Sequence, residues 1–253
     1  LLDKCSKIIF NSEWSKKQFL KNLSNFYYKS KKLEVIHQSI KRKRINISHK
    51  KNLITFVGKL NRAKGYDIFS KAIKHILNKN PEWKAFVIGD EKRESIKLKH
   101  KNATILGFKK HSQVLDIFKK TSITIACSRW EEPFGRTSLE ASANGCAVVI
   151  TNKGGLPETV TDAKILSKLT IKHLINAIQF LINKPKIRKK LQTSSIRNFY
   201  LTHAFVAKKI DYYRSEKLYF DKKIFLKSKE KNLRILHVTN FNERLDGRLF
   251  FNT

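Results

Sequence analysis

From Leu53 to Asn183 the chain alternates short, almost wholly apolar runs with stretches of helical period, and few architectures accommodate that order. Leu53–Gly58 (LITFVG) reads as a buried strand. Residues 67–77 then place Ile68, Phe69, Ala72, Ile73, Ile76 and Leu77 on one helical face. Strands follow at Lys84–Ile88, running into Gly89-Asp90, and at Thr104–Leu106, ending at Gly107. Val114, Leu115, Ile117 and Phe118 stripe the next helix. Ile123–Ala126, Ala147–Ile150 and Ala163–Leu166 are further strands, and Leu174, Ile178 and Leu181 mark a helix ending near Asn183. Strands without polar alternation are buried on both faces, which calls for a parallel sheet covered by helices on each side. The expected fold class is therefore α/β, a Rossmann-like, doubly wound parallel sheet over residues 53–185.

The flanks carry less information. Lys7–Phe10 (KIIF) reads as a short strand, after which Ser12 caps a helix running to about Asn25, with Glu13 at its positive end. Glu34–Gln38 reads as a second short strand, and the basic, polar stretch that follows makes 34–52 a linker. Residues 186–230 are basic and helical without a βα rhythm. Leu233–Thr239 (LRILHVT) then reads as a new buried strand followed by a polar loop, so 231–253 is expected to open a further domain. The 253 residues contain no methionine and start at Leu1, which suggests a piece of a longer reading frame.

Charge narrows the partners. Lys and Arg total 54 against 20 Asp and Glu, a net charge of +34, so the ligands are expected to be anions. Lysine supplies 42 of those cations, spread along the chain, whereas arginine, the preferred reader of bases, supplies 12. With no RNP-like aromatic strand, no G-x-x-G between helices and no Cys/His finger, a nucleic-acid-binding module is the weaker reading. Cys5, Cys127 and Cys146 are odd in number and far apart, which fits a reducing, cytoplasmic setting. The eight histidines form no H-x-x-x-H pair and no D-x-D occurs, so no metal site and no cofactor are expected. No apolar run reaches the roughly 18 residues of a membrane span.

Open α/β sheets bind ligands beyond the carboxyl ends of their strands, so the chemistry is sought there. After the first strand of the repeat come Gly58, Lys59, Arg62 and Lys64, three cations just before a helix. That arrangement suits a pair of phosphates, although in a chain this rich in lysine the segment taken alone is better read as a solvated basic loop. After Ile123–Ala126 comes SRWEEPFGRTSLEA, in which Glu132 lies in a loop and Glu140 inside the following helix. Phe134, Gly135 and Arg136 bring backbone N–H groups to the helix start, where a diphosphate fits. Carboxylates so close to an anion are costly unless they accept hydrogen bonds from hydroxyls, which a sugar on one side and a ribose on the other would supply.

Four segments, taken together and in this order, resemble the retaining GT-B glycosyltransferases of the glycogen-synthase-like group 4: FVGKLNRAKG (56–65), FVIGD (86–90), ILGF (105–108) and EPFGRTSLEASANGCAVVITNKGGLPE (132–158). The resemblance covers about residues 1–205 and implies the C-terminal, donor-binding half of a GT-B fold. It makes 1–33 the end of the N-terminal acceptor domain and 34–52 the interdomain linker. It likens 231–253 to the start of a second transferase.

The same resemblance implies roles. Glu132 would contact hydroxyls of the donor sugar, Glu140 the ribose, and Lys59 and Lys64 the departing diphosphate. Gly58, Arg62 and the N–H groups of Phe134–Thr137 would help hold the donor, with Gly107 and Phe108 lining the base pocket. Such enzymes retain anomeric configuration and need no divalent cation. The implied partners are a nucleotide-diphospho-sugar, a glycan or lipid-linked acceptor for polysaccharide or lipopolysaccharide synthesis, and an anionic membrane face touched peripherally. Two departures stand out: Lys59 replaces a more common Arg, giving up a bidentate fork, and Gln38-Ser39 replaces the usual Asn-Gly of the linker. With the acceptor domain nearly all missing, the chain alone is expected to be inactive. A glycogen-type phosphorylase or a sugar-nucleotide epimerase is the alternative within the GT-B fold.

Overall fold

The computed structural model describes residues 5, 7–21, 32–41, 44–224 and 235–238, with side chains as far as 215. In chain order the first elements are β1 (Lys7–Phe10), α1 (Glu13–Lys21), β2 (Leu33–Val35), β3 (Lys51–Val57), α2 (Tyr66–Lys79), β4 (Lys84–Ile88) and β5 (Ala103–Ile105). Then follow α3 (His111–Lys120), β6 (Thr121–Ala126), α4 (Arg136–Ala143), β7 (Ala147–Thr151), β8 (Lys164–Leu166), α5 (Ile171–Asn183), α6 (Pro185–Arg197), α7 (His203–Ile224) and β9 (Ile235–Val238). Two compact units result, one of 42–199 and one combining 1–41 with 200–253.

The larger unit is the doubly wound sheet. Its six strands are all parallel, in the order β5-β4-β3-β6-β7-β8. The order runs outward from β3 in one direction and from β6 in the other, so the chain changes direction between those two neighbours. Side chains alternate across the pleat. Ile54, Phe56, Ile123, Ile125, Ala147 and Val149 pack with α2 and α5 on one face, and Ile88, Val148 and Ile150 with α3 and α4 on the other. All five residues of β7 are buried, the pattern of a strand covered on both sides. The stripe on α2 is wholly buried, each fully covered aliphatic or aromatic side chain contributing about 1.5–3 kcal/mol. On α3 the stripe is narrower than its sequence suggests: Val114 and Phe118 are buried, whereas Leu115 and Ile117 only pack against that core.

Helix α6 belongs to this unit. Gln192 Nε2 donates to the Ser122 carbonyl at 3.0 Å, and Ile196 packs against Gly145. Lys50 closes the opposite edge of the sheet from the strand ends, donating to the carbonyls of Phe118 at 2.8 Å and Asn144 at 2.6 Å. It thereby satisfies carbonyls at the ends of α3 and α4, a helix-terminal role that its sequence surroundings do not announce.

In the smaller unit β1 lies between β2 and β9, all parallel. Ser12 caps α1 as expected, its Oγ accepting from Ser15 N at 2.9 Å. The second strand is shorter and earlier than the sequence suggests, Leu33–Val35 rather than 34–38. Ile36 N still donates to Phe10 O at 2.9 Å, but the ladder ends there; Ser39 meets His203 Nδ1 at 2.9 Å, and Ile40 bridges Thr202. The expected far end of the first helix, at 22–25, and residues 239–253 lie outside the described residues. The described part of the late strand, β9, sits beside β1 and not in the six-stranded sheet.

Candidate functional site

A cavity of about 70 Å³ opens at the carboxyl ends of β3 and β6, where the chain changes direction. Crevices at such points are where open α/β sheets bind ligands. Gly58, Lys64, Glu132, Gly135, Arg136 and Thr137 line it, together with the last residues of the two strands.

Three loops are tied together to form its rim. Ala63 O accepts from the backbone N–H groups of Arg129 and Trp130 at 2.9 and 3.1 Å and from Ser128 Oγ at 3.1 Å. Arg129 closes a bidentate pair on Asp67 at 2.6 and 2.7 Å, and its guanidinium holds that carboxyl below the usual carboxylate range. From the third loop, Gly155 N donates to Glu132 O at 2.6 Å, and Glu131 accepts from Gly154 N and from Lys153 Nζ. A Cβ on Gly154, whose φ is +59°, would stand 2.1 Å from Glu132 O, so only glycine fits this approach. Thr151 Oγ1 bonds Ser128 O at 2.7 Å, and Ser138 Oγ meets Thr159 Oγ1 at 2.6 Å.

Within this frame Lys64 Nζ meets Glu132 Oε1 at 2.5 Å, the carboxylate side chain being only 12% exposed. Helix α4 starts beside the pair. Its N-cap is Gly135, which offers no side-chain acceptor, and among the described residues no acceptor faces the N–H groups of Arg136 and Thr137. Those groups, with the positive end of the helix, are donors chemically suited to an anion and stand next to a lysine.

Of Lys59, Arg62 and Lys64, the fold brings Lys64 into the cavity wall. Gly65, in the left-handed region at φ 73°, is packed so tightly against Cys127 that a Cβ would lie 2.0 Å from the Cys127 carbonyl oxygen. That contact fixes the loop with Lys64 toward the cavity. The Arg62 backbone N–H instead donates to Glu94 at 3.0 Å, and Arg62 lines a separate surface depression with Glu94, Ser95 and Ile96. Lys59 is exposed at the strand end, without an ion-pair partner among the described residues.

The other expected residues lie around the cavity rather than in its wall. Phe134 is buried, anchoring the loop. Gly107 and Phe108 follow β5, two strands out from β3, and Phe108 is 75% exposed. Glu140 is buried in α4 and accepts from Arg136 Nε at 2.7 Å and from His111 Nε2 at 3.0 Å. His111 escapes sequence reasoning because nothing in the chain from 107 to 140 signals that the start of α3 meets the middle of α4. Among the described residues no group of three or more His, Cys, Asp or Glu could hold a metal ion, and no helix is long and apolar enough to cross a membrane.

Residues 37–197 match the family of glycosyl transferases, group 1. The chain belongs to that family. Spore coat protein SA of Bacillus subtilis (strain 168) is 27% identical over 129 residues, 46% of this group 1 chain and 34% of the relative. The lipopolysaccharide core biosynthesis mannosyltransferase LpsB of Rhizobium meliloti (strain 1021) is 26% identical over 162 residues, 58% of the chain and 46% of LpsB. The chain thus spans less than half the length of either. Among solved structures, Anabaena HepE in complex with UDP and glucose superposes with a TM-score of 0.70 at 18% identity, over 83% of this chain and 63% of HepE. That likeness establishes a GT-B-like fold.

Proposed function

We propose that residues 42–199 form the donor-binding half of a retaining glycosyltransferase of the glycogen-synthase-like group 4. The Lys64–Glu132 pair, set in the cavity beside the open N–H groups of α4, carries this reading. It offers a cation and two backbone donors to a diphosphate, and next to them a carboxylate able to accept from sugar hydroxyls. When the bond between the anomeric carbon and the diphosphate breaks, negative charge accumulates on the leaving phosphate. Lys64 and the N–H groups of Arg136 and Thr137 would stabilise it in place, each charge-assisted hydrogen bond being worth about 1.5–3 kcal/mol. Lys59, free at the strand end, would join them once a donor is present. Glu132 would orient the sugar and Glu140 the ribose, with Phe108 beside the base. Support comes from the family match and from HepE, which was solved with UDP and glucose. LpsB, by its name, acts in lipopolysaccharide core synthesis, and a glycan or lipid-linked acceptor is proposed here too. The geometry of residues 42–199 offers contacts for the donor, and transfer to the acceptor is proposed for the protein as a whole.

Calorimetric titration of the chain with UDP, GDP and ADP, without metal and again at raised salt, tests the reading. Saturable, salt-resistant binding of one nucleotide supports it. Equal binding of all three, abolished by salt, would overturn it and leave only the general attraction of +34 charges.

The proposed setting is the cytoplasmic face of a membrane. On the sheet edge away from the cavity, a broad groove is lined by Arg44, His49, Lys51, Lys119 and Lys120, with Asp116 the acid among its lining residues. Each lysine near an anionic surface contributes about 1 kcal/mol. Sedimentation with phosphatidylglycerol vesicles but not phosphatidylcholine vesicles is expected, with reduced binding of the Lys119→Glu, Lys120→Glu variant; equal sedimentation with both lipids would refute it.

A further inference from the structure

The carboxylate of Glu140 is held asymmetrically. Arg136 Nε and His111 Nε2 approach the same oxygen, Oε1, at 2.7 and 3.0 Å. An ionised carboxylate oxygen accepts about two hydrogen bonds, so these donors fill Oε1. Among the described residues no donor reaches Oε2, and it is not among the sealed polar atoms that lack a partner, Tyr66 Oη, Ser142 Oγ and Thr161 Oγ1. Glu140 is thus a nearly buried carboxylate, its side chain 8% exposed, with one saturated oxygen and one oxygen that retains two acceptor positions. His111 and Arg136 are each about half exposed, so neither is placed there by core packing. The histidine stands at the first turn of α3, whose start is fixed separately by Gln113 Oε1 accepting from Lys110 N at 3.1 Å.

We propose that His111 and Arg136 are positioning residues for nucleotide recognition. By occupying Oε1 they turn Oε2 into the single acceptor for the two ribose hydroxyls. The inference rests on the reading of Glu140 as the ribose carboxylate and adds to it how that carboxylate is aimed, and from which helix. It also assigns the side chain of Arg136 to the carboxylate and not to the diphosphate, to which this residue offers its backbone N–H. For His111 to donate, its Nε2 must carry the proton, as the neutral Nε2–H tautomer or as the imidazolium. If the carboxylate loses one of these donors, it is free to rotate, and its grip on a pair of hydroxyls weakens while contacts to the base and phosphates persist.

The test compares ribose with its hydroxyl-free form. The full chain and its variants are titrated with UDP, ADP and GDP and with their 2′,3′-dideoxy counterparts. The wild type is expected to prefer the ribonucleotide that it binds by at least about tenfold. His111→Ala should reduce that preference to within about threefold while leaving affinity for the dideoxy form nearly unchanged, and His111→Gln, which keeps a donor at the corresponding atom, should restore most of it. Arg136→Met, which preserves the backbone N–H, should act like His111→Ala and serves if the histidine variant fails to fold. Equal losses for both nucleotide forms, or an unchanged preference, in either variant would overturn the positioning role. Glu140→Ala separates the two ideas. If it retains the preference, or if the wild type has none, the ribose reading falls and the inference with it. If Glu140→Ala abolishes the preference and the other variants do not, the positioning role alone falls.

Discussion

Cys127 shows how much one small side chain can hold. It is fully buried between the loops that follow β3 and β6, with its Sγ 3.5 Å from Gly65 O, and burial pushes its thiol up to about 12. The unfolded thiol ionises near 9.0, so the folded state keeps a proton that the unfolded state releases. Its contribution to stability is complete below pH 9 and falls as pH rises from there toward 12. Tyr66, also pushed by burial to about 12, adds to the same alkaline limb above pH 10, and Lys50, lowered by burial, acts in the opposite direction. A Cys127→Ala variant keeps both groups, so their effects cancel in the comparison. Urea unfolding across pH is therefore expected to show wild type losing about 2 kcal/mol more than Cys127→Ala between about pH 8.5 and 10.5. At Gly154, by contrast, the constraint is steric. Gly154→Ala should lower unfolding stability by about 2 kcal/mol or more and weaken nucleotide binding, because the displaced atoms are those of Glu132.

The helices were legible as elements because their stripes have the right period, and α5 tests that at its own scale. Ile178 is fully buried against the sheet, whereas Ile171, on the same helix, is 36% exposed. Ile178→Ala is expected to cost about 2–5 kcal/mol in denaturant unfolding and Ile171→Ala under about 1, a contrast that a uniformly packed helix would not give. Strand ends were less legible, as β2 illustrates, since three residues of ladder leave too little periodicity to fix a boundary. The loop after β3 was hardest. Its three cations look equivalent in the chain, and tertiary contacts of the loop, the fit of Gly65 onto Cys127 and the bonds to Ala63 O among them, leave Lys64 at the cavity and the Arg62 N–H against Glu94.

At the scale of the molecule, every group that forms the cavity, its rim and the Glu140 cluster lies inside the compact unit 42–199. A chain trimmed to those residues should fold cooperatively and bind nucleotide within about threefold of the full chain, about 0.7 kcal/mol; calorimetry on the trimmed protein checks this. The sequence alone determined the parallel sheet, the alternation of its layers, the edge at which the cavity opens and the two carboxylates placed near it. These follow from local period and from glycines and charges at strand ends, which need no knowledge of distant contacts. Tertiary structure alone decided which cation meets Glu132, that His111 reaches Glu140 across 29 positions of sequence, and that Lys50 closes two helix ends. Such pairings depend on loop conformations set by packing between elements, and no periodicity in a single chain segment encodes them.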